Sequence, residues 1–116
     1  MAQYRAQRNV IVSNREGLHA RAATEVAKLI RLLDAGVELV RELQRKDGTT
    51  ELRRADGTDV LEVMSLGAAQ GDVVVVEAMG NSTDETEAAL DAVANLFSSG
   101  FAEDDPAENQ KQEQEQ

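Results

Sequence analysis

The chain holds one histidine, His19, and no cysteine. Imidazole is the side chain whose unperturbed pKa lies near neutrality, so acid–base or nucleophilic chemistry at neutral pH concentrates on that residue. A lone surface histidine is usually inert, and it is the setting of His19 that raises its interest. It stands at the entrance of a helix, where first-turn N–H groups and the positive end of the macrodipole favour an anion. Arg21 adds a permanently charged fork suited to phosphate oxygens, and Gly17 lets the backbone turn and a partner approach closely. Hydrolysis is poorly served: there is no G-x-S-x-G, and a triad would have to be assembled from scattered serines and carboxylates. Asp84, Glu85 and Glu87 read as favourable charges on a helix N-terminal turn. Neither G-x-x-x-x-G-K nor G-x-G-x-x-G occurs, so a bound nucleotide is not expected. One histidine without cysteine also excludes a multi-His or Cys-ligated metal site, and no cofactor is expected.

The elements that must position these groups belong to one compact domain, given 116 residues. Hydrophobic residues make up 41% and aromatics only 3%, so the core relies on Val, Leu, Ile and Ala and offers no stacking platform for bases or sugars. A net charge of −10 repels a phosphate backbone or an anionic membrane, so neither nucleic acid nor membrane is an expected partner. The N-terminus has no secretory h-region and no run is long enough to span a bilayer, so a cytoplasmic location is expected. From Ala102 to Gln116 there are six acidic residues, one lysine, four Gln and the only proline, which places −5 of the −10 there. That composition cannot offset its ordering entropy. We therefore place the domain at residues 1–100 and an acidic, Gln/Glu-rich disordered tail at 101–116.

Along the body, Tyr4, Ala6, Arg8, Val10 and Val12 alternate as a strand within Gln3–Ser13. Ala22, Val26, Leu29, Ile30 and Leu33 then recur at three and four residues, the stripe of an amphipathic helix closing near Asp34, Ala35 and Gly36. Val37 to Lys46 can continue that stripe or begin a strand. Asp47-Gly48, a preferred pair for a two-residue hairpin, favours the strand. That register sets Lys46 against Thr49, Leu43 against Leu52, Glu42 against Arg53 and, less comfortably, Arg41 against Arg54. Asp59 caps a short helix over Val60–Ser65, with Gly67 just beyond. Val73–Val76 is a β-branched run suited to a central strand. Ser82 with Glu85 forms a capping box opening a last helix through Phe97, closed by Gly100. The order βαββαβα implies an α+β fold, an antiparallel sheet with its helices gathered on one face.

The stretch Asn14-Arg15-Glu16-Gly17-Leu18-His19-Ala20-Arg21-Ala22-Ala23 resembles the active-site signature of HPr, the histidine-containing phosphocarrier of the bacterial phosphoenolpyruvate:sugar phosphotransferase system. Val63-Met64-Ser65-Leu66-Gly67 followed by Gly71-Asp72 resembles that family's second signature, and the similarity covers about Arg8 to Ser98. The resemblance implies an HPr-like open-faced β-sandwich, four antiparallel strands under three helices. It implies a phosphocarrier rather than an enzyme. His19 would accept a phosphoryl group at Nδ1 from Enzyme I, which draws on phosphoenolpyruvate, and pass it to a histidine or cysteine of a sugar-specific Enzyme II component. Gly17, Ala20 and Arg21 would complete the site. Thr24, Lys28 and Arg31 on the first helix, with Val60, Leu61 and Met64 on the second, would form the docking surface; ordinary solvated charges, and for Met64 plain core, are the alternative reading.

Three departures from the family pattern bear on function. Ala22 stands where proline is most frequent, which loosens the first turn and removes no phosphate ligand. Asp59 occupies the position of the regulatory serine modified by HPr kinase, either as a cap replacing Ser or as a fixed negative charge; Thr58 beside it carries a hydroxyl. The segment between the first two helices is longer than the pattern, so the hairpin around Asp47-Gly48 is expected to protrude as a contact surface. Glu16 is expected to face solvent, since a carboxylate near a phosphorylated imidazole repels it. The competing function is a regulatory binding module of HPr shape that docks on a kinase or transcription regulator, with phosphate as a signal. A hydrolase using His19 as base is the remote third.

Overall fold

The computed structural model describes residues 3–102, so the expected tail beyond them lies outside the described residues. The elements are β1 (Tyr4–Ile11), α1 (Ala20–Arg31), β2 (Gly36–Gln44), β3 (Thr50–Asp56), α2 (Val60–Ser65), β4 (Val73–Gly80) and α3 (Thr83–Ser98), followed by a 3-10 turn over Gly100–Ala102. The four strands form one antiparallel sheet in the order β1-β4-β2-β3. The three helices lie on one face, giving the expected open-faced sandwich. Alternation along the strands sends Val10, Val37, Leu39, Ala55, Val74, Val76 and Ala78 inward, where they meet Ala22, Val26 and Ile30 of α1, Val63 of α2 and Leu90, Val93 and Phe97 of α3. Burying each of the larger aliphatic side chains contributes about 1.5–3 kcal/mol.

Local chemistry explains the helix starts. The Asp59 carboxylate accepts from the Glu62 N–H at 3.0 Å, and the Ser82 hydroxyl accepts from the Glu85 N–H at 3.0 Å. The ambiguous stretch after α1 is a strand: α1 stops at Arg31, and Gly36 to Gln44 is extended. Arg8, on the helix-facing side of β1, reaches Asp91 at 2.6 Å and Glu87 at 3.2 Å and so ties β1 to α3. Phe101, placed beyond the domain boundary by the sequence reading, is buried and packs edge-on against Phe97 with ring centroids 5.0 Å apart. The packed body therefore continues through Phe101.

The hairpin corrects the expected register by one residue. Arg41 faces Arg53, Glu42 faces Leu52, Leu43 faces Glu51 and Gln44 faces Thr50. The loop is Lys46-Asp47-Gly48: the Arg45 N–H donates to Thr49 O at 2.8 Å, the Gly48 N–H donates to Arg45 O at 3.1 Å, and Gly48 has φ +88°. This is the three-residue connection that ends in a left-handed residue, not the two-residue turn. The hairpin does extend past its neighbours, because β2 pairs with β4 only from Gly36 to Val40 and beyond Val40 it pairs with β3 alone.

Candidate functional site

His19 is the N-cap residue of α1, with extended backbone (φ −91°, ψ −168°); its carbonyl accepts from the Ala23 N–H at 2.8 Å, and its imidazole does not cap the helix. The first turn of α1 contains no acidic residue while Lys28 and Arg31 lie in its last turn, so no first-turn carboxylate offsets the positive end of the helix. The His19 side chain is 39% exposed, neither entombed nor fully solvated.

The segment preceding it is locked from several sides. The Asn14 side chain is buried and its amide donates to Gly17 O at 2.8 Å, closing the turn. Gly17 adopts φ +75°, and a Cβ placed there would meet Ala68 O at 2.5 Å and Ala69 Cα at 3.0 Å, so conformation and contact both require glycine. The Leu18 N–H donates to Ala68 O at 2.9 Å, the Gly71 N–H to Val12 O at 2.8 Å and the Val12 N–H to Asp72 O at 2.9 Å. The Ser13 hydroxyl donates to Phe97 O at 2.6 Å at the end of α3, and the Gln70 amide donates to Ser13 O at 3.0 Å. The second sequence signature is thus the backing on which the first rests.

Arg41 holds that backing in place, a role the sequence reading missed. Its side chain, 16% exposed, donates to Leu66 O at 2.9 Å and Gly67 O at 2.7 Å and pairs with Asp72 at 2.8 Å. Asp72 also accepts from the Ala69 N–H at 2.8 Å. A charged fork from β2 therefore closes the C-terminal end of α2 and links it to the loop against which Gly17 packs.

Glu16 does not face solvent alone. Its carboxylate lies 2.7 Å from His19 Nε2. Nε2 is itself buried, and the approach is a close contact that lacks the alignment of a hydrogen bond. The repulsion expected for a phosphorylated ring does not arise while the ring is unmodified.

The other expected site residues fall into two groups. Ala20 and Arg21 are exposed on the first turn of α1, next to His19. Farther along the helix, the Thr24 hydroxyl donates to Ala20 O at 2.7 Å, Lys28 lies 3.7 Å from Glu25, and Arg31 donates to Thr58 O at 2.7 Å, tying α1 to the entry of α2. On α2, Leu61 is 76% exposed, whereas Val60 and Met64 are half-buried against the core. The Asp56 carboxylate, which accepts from the Thr58 N–H at 2.9 Å and the Thr58 hydroxyl at 2.8 Å, is held below its ordinary pKa by those bonds. A concavity of about 810 Å³ lies on the open face of the sheet, where Arg54 bridges Glu38 and Glu77; Asp56 borders it, and none of the expected site residues does. The imidazole is presented on a surface, which suits handing a group from protein to protein.

A family model described as the PTS HPr component phosphorylation site matches residues 6–99. The chain belongs to the HPr family of phosphocarriers. It is 38% identical over 98 residues to phosphocarrier protein NPr of Escherichia coli (strain K12), covering 84% of this chain and 97% of that one. Phosphocarrier protein HPr of Xylella fastidiosa (strain 9a5c) is 29% identical over 98 residues, covering 84% and 97%. Among solved structures, HPr-C-His from Thermoanaerobacter tengcongensis superposes with a TM-score of 0.61 at 28% identity, covering 84% of this chain and 97% of that one. Membership makes the chain an HPr-like phosphocarrier of the phosphotransferase system. Among the described residues no helix is long and apolar enough to cross a membrane.

Proposed function

We propose that His19 is the residue that carries the phosphoryl group, accepting it from Enzyme I charged by phosphoenolpyruvate and surrendering it to a histidine or cysteine of a downstream acceptor in the cytoplasm. The observation that carries this reading is the half-exposed imidazole at the entrance of α1, on a backbone clamped to the 66–72 loop and inside the stretch matched as a phosphorylation site. A carrier must bind phosphate weakly enough to release it, so first-turn amides and the exposed Arg21 suit the task better than an enclosing pocket. Arg21 would take phosphoryl oxygens, Gly17 and Ala20 leave room for the partner, and exposed Leu61 with the adjoining α1 surface would meet the partner protein. A sugar-specific Enzyme II component is one acceptor class; the similarity to proteins named NPr supports widening the search beyond sugar-specific acceptors. The test is a chase: charge the protein with Enzyme I and phosphoenolpyruvate, then offer purified acceptor proteins. Passage of acid-labile phosphate to an acceptor supports the relay. Label retained in the presence of every acceptor, with binding to a kinase or regulator, favours the signalling module instead.

The specific observation for that second reading is Asp59 at the regulatory-serine position. Its carboxylate caps α2 through the Glu62 N–H, which supports the role of helix cap over that of a phosphoserine imitation. Wild-type partner affinity in Asp59→Ser, which keeps a capping oxygen, agrees with a cap. A loss of affinity shared by Asp59→Ser and Asp59→Ala favours the fixed charge.

A further inference from the structure

We infer that the helix-side face of the β2–β3 hairpin, built from Leu43, Arg45 and Arg53, is a docking arm for a carboxylate-bearing surface on the protein that exchanges phosphoryl groups with His19; this rests on the phosphocarrier reading above and extends its partner surface beyond α1 and α2. The register places the arm at the His19 end of the sheet. Val40 faces Val75 and Ile11 faces Val73, so the part of β2 beyond Val40 projects past the end at which β1 hands over to the segment carrying His19. Alternation fixes the side: Leu39 and Ala55 enter the core, so Leu43 and Arg45 on one strand and Glu51 and Arg53 on the other share the helix side. Consistent with this, a terminal nitrogen of Arg53 lies 3.3 Å from where a Cβ on Gly67 would stand. Gly67 adjoins Ala68, whose carbonyl accepts from the Leu18 N–H next to His19. The arm and the imidazole therefore border one loop.

Charge names the occupant. Residues 41–54 carry five Lys and Arg against three Asp and Glu, whereas the whole chain carries twelve against twenty-two. Arg41 is taken up by the 66–72 loop and Asp72, but Arg45 and Arg53 share a single carboxylate, Glu51, at 3.2 and 3.1 Å. Each guanidinium offers five N–H donors in a planar fork, more than that carboxylate can accept, and the fork suits a second one. Half-buried Leu43 adds an apolar contact beside them. A second copy is a poor occupant, since two chains of net charge −10 repel. A standard interface covers about 800 Å² on each partner, so a protein seated on His19 and the 66–72 loop also reaches the arm.

The experiment measures initial rates of phosphoryl uptake from Enzyme I against the concentration of full-length protein, at low and high salt. Arg45→Glu combined with Arg53→Glu raises KM about 10-fold with kcat unchanged, and the gap narrows as salt screens the contact. Arg45→Lys combined with Arg53→Lys, which keeps the charge, stays within about 3-fold of wild type. Because Arg53→Glu sets two carboxylates together beside Glu51, Arg45→Glu alone is the variant that spares the hairpin, with an expected rise of about 3-fold at unchanged circular dichroism. An unchanged KM in the Glu variants overturns the inference, and so does a fall in kcat at constant KM, which marks a distorted site. Self-association or RNA binding by the wild type that the Glu pair abolishes assigns the face to another occupant and also overturns it. A wild-type protein that takes up no phosphate sinks the phosphocarrier reading and the arm together, whereas uptake with KM indifferent to the arm sinks the arm alone.

Discussion

The segment that carries His19 and the tip of the β2–β3 hairpin both turn on a left-handed glycine, Gly17 at φ +75° and Gly48 at φ +88°. They are held in opposite ways. Around Gly17 a Cβ would collide with Ala68 and Ala69, and backbone bonds from Val12, Leu18 and Gly71 sew the segment to the 66–72 loop. Around Gly48 nothing lies within 4 Å of such a Cβ, and the turn is kept by its own bonds, chiefly the Thr49 N–H and hydroxyl donating to Asp47 at 2.9 and 2.6 Å. The segment that presents the His19 ring, the residue proposed to meet two successive protein partners, is determined by contacts distant in sequence. The hairpin tip is determined by four or five neighbouring residues and is correspondingly free to change.

The comparison can be broken by substitution. Gly17→Ala, which combines left-handed strain with a backbone collision, should cost about 2–4 kcal/mol in urea unfolding and impair phosphoryl uptake. Little loss of stability there would show that the segment yields. Arg41→Ala leaves Asp72 and two carbonyls without their charged donor and should cost about 1.5–3 kcal/mol. Amide exchange at Leu18 should quicken with it, because the Ala68 acceptor belongs to the loop that Arg41 braces. Gly48→Ala meets only the left-handed penalty and should cost about 1 kcal/mol with uptake unchanged. The smallest effect concerns Asp47, whose carboxyl is held below its ordinary 3.8 by the Thr49 hydroxyl first and the Thr49 N–H second. A depressed folded value means that its contribution is complete above the ordinary carboxyl pKa and fades as pH falls through the lower one. An NMR titration should therefore place Asp47 below 3.8 in the native protein and return it towards that value in Thr49→Val.

Where a signal was local, it was legible in the sequence. Asp59 and Gly67 bracket α2 at Val60–Ser65, and Ser82 with Glu85 opens α3. The hairpin register was not legible from its turn alone, since Asp47-Gly48 suits both a two- and a three-residue loop. The strand faces decide it: Leu39 and Ala55 both enter the core, so they must oppose one another, and a one-residue slip would turn Ala55 outward. The charges did not betray the slip, because Arg41 opposes an arginine in either register, Arg54 in the expected one and Arg53 in the observed one. His19, Gly17 and the two signatures stood out from residue type and order. The clamp by Arg41 on residues 25 and 26 positions away did not, because nothing local marks a guanidinium as bound for a distant helix end. Glu16 faces solvent as expected, at 69% exposure, and its contact with the imidazole went unforeseen because the expectation weighed the phosphorylated ring, whereas the carboxylate lies against the unmodified one.

The measurement closest to the central claim is intact-mass analysis of the full-length protein and His19→Ala after incubation with Enzyme I and phosphoenolpyruvate, at matched circular dichroism. The account predicts one added phosphoryl group on the wild-type chain, lost on acid treatment, and none on the variant. The same gain on both proteins, or an acid-stable gain on the wild type, would contradict it.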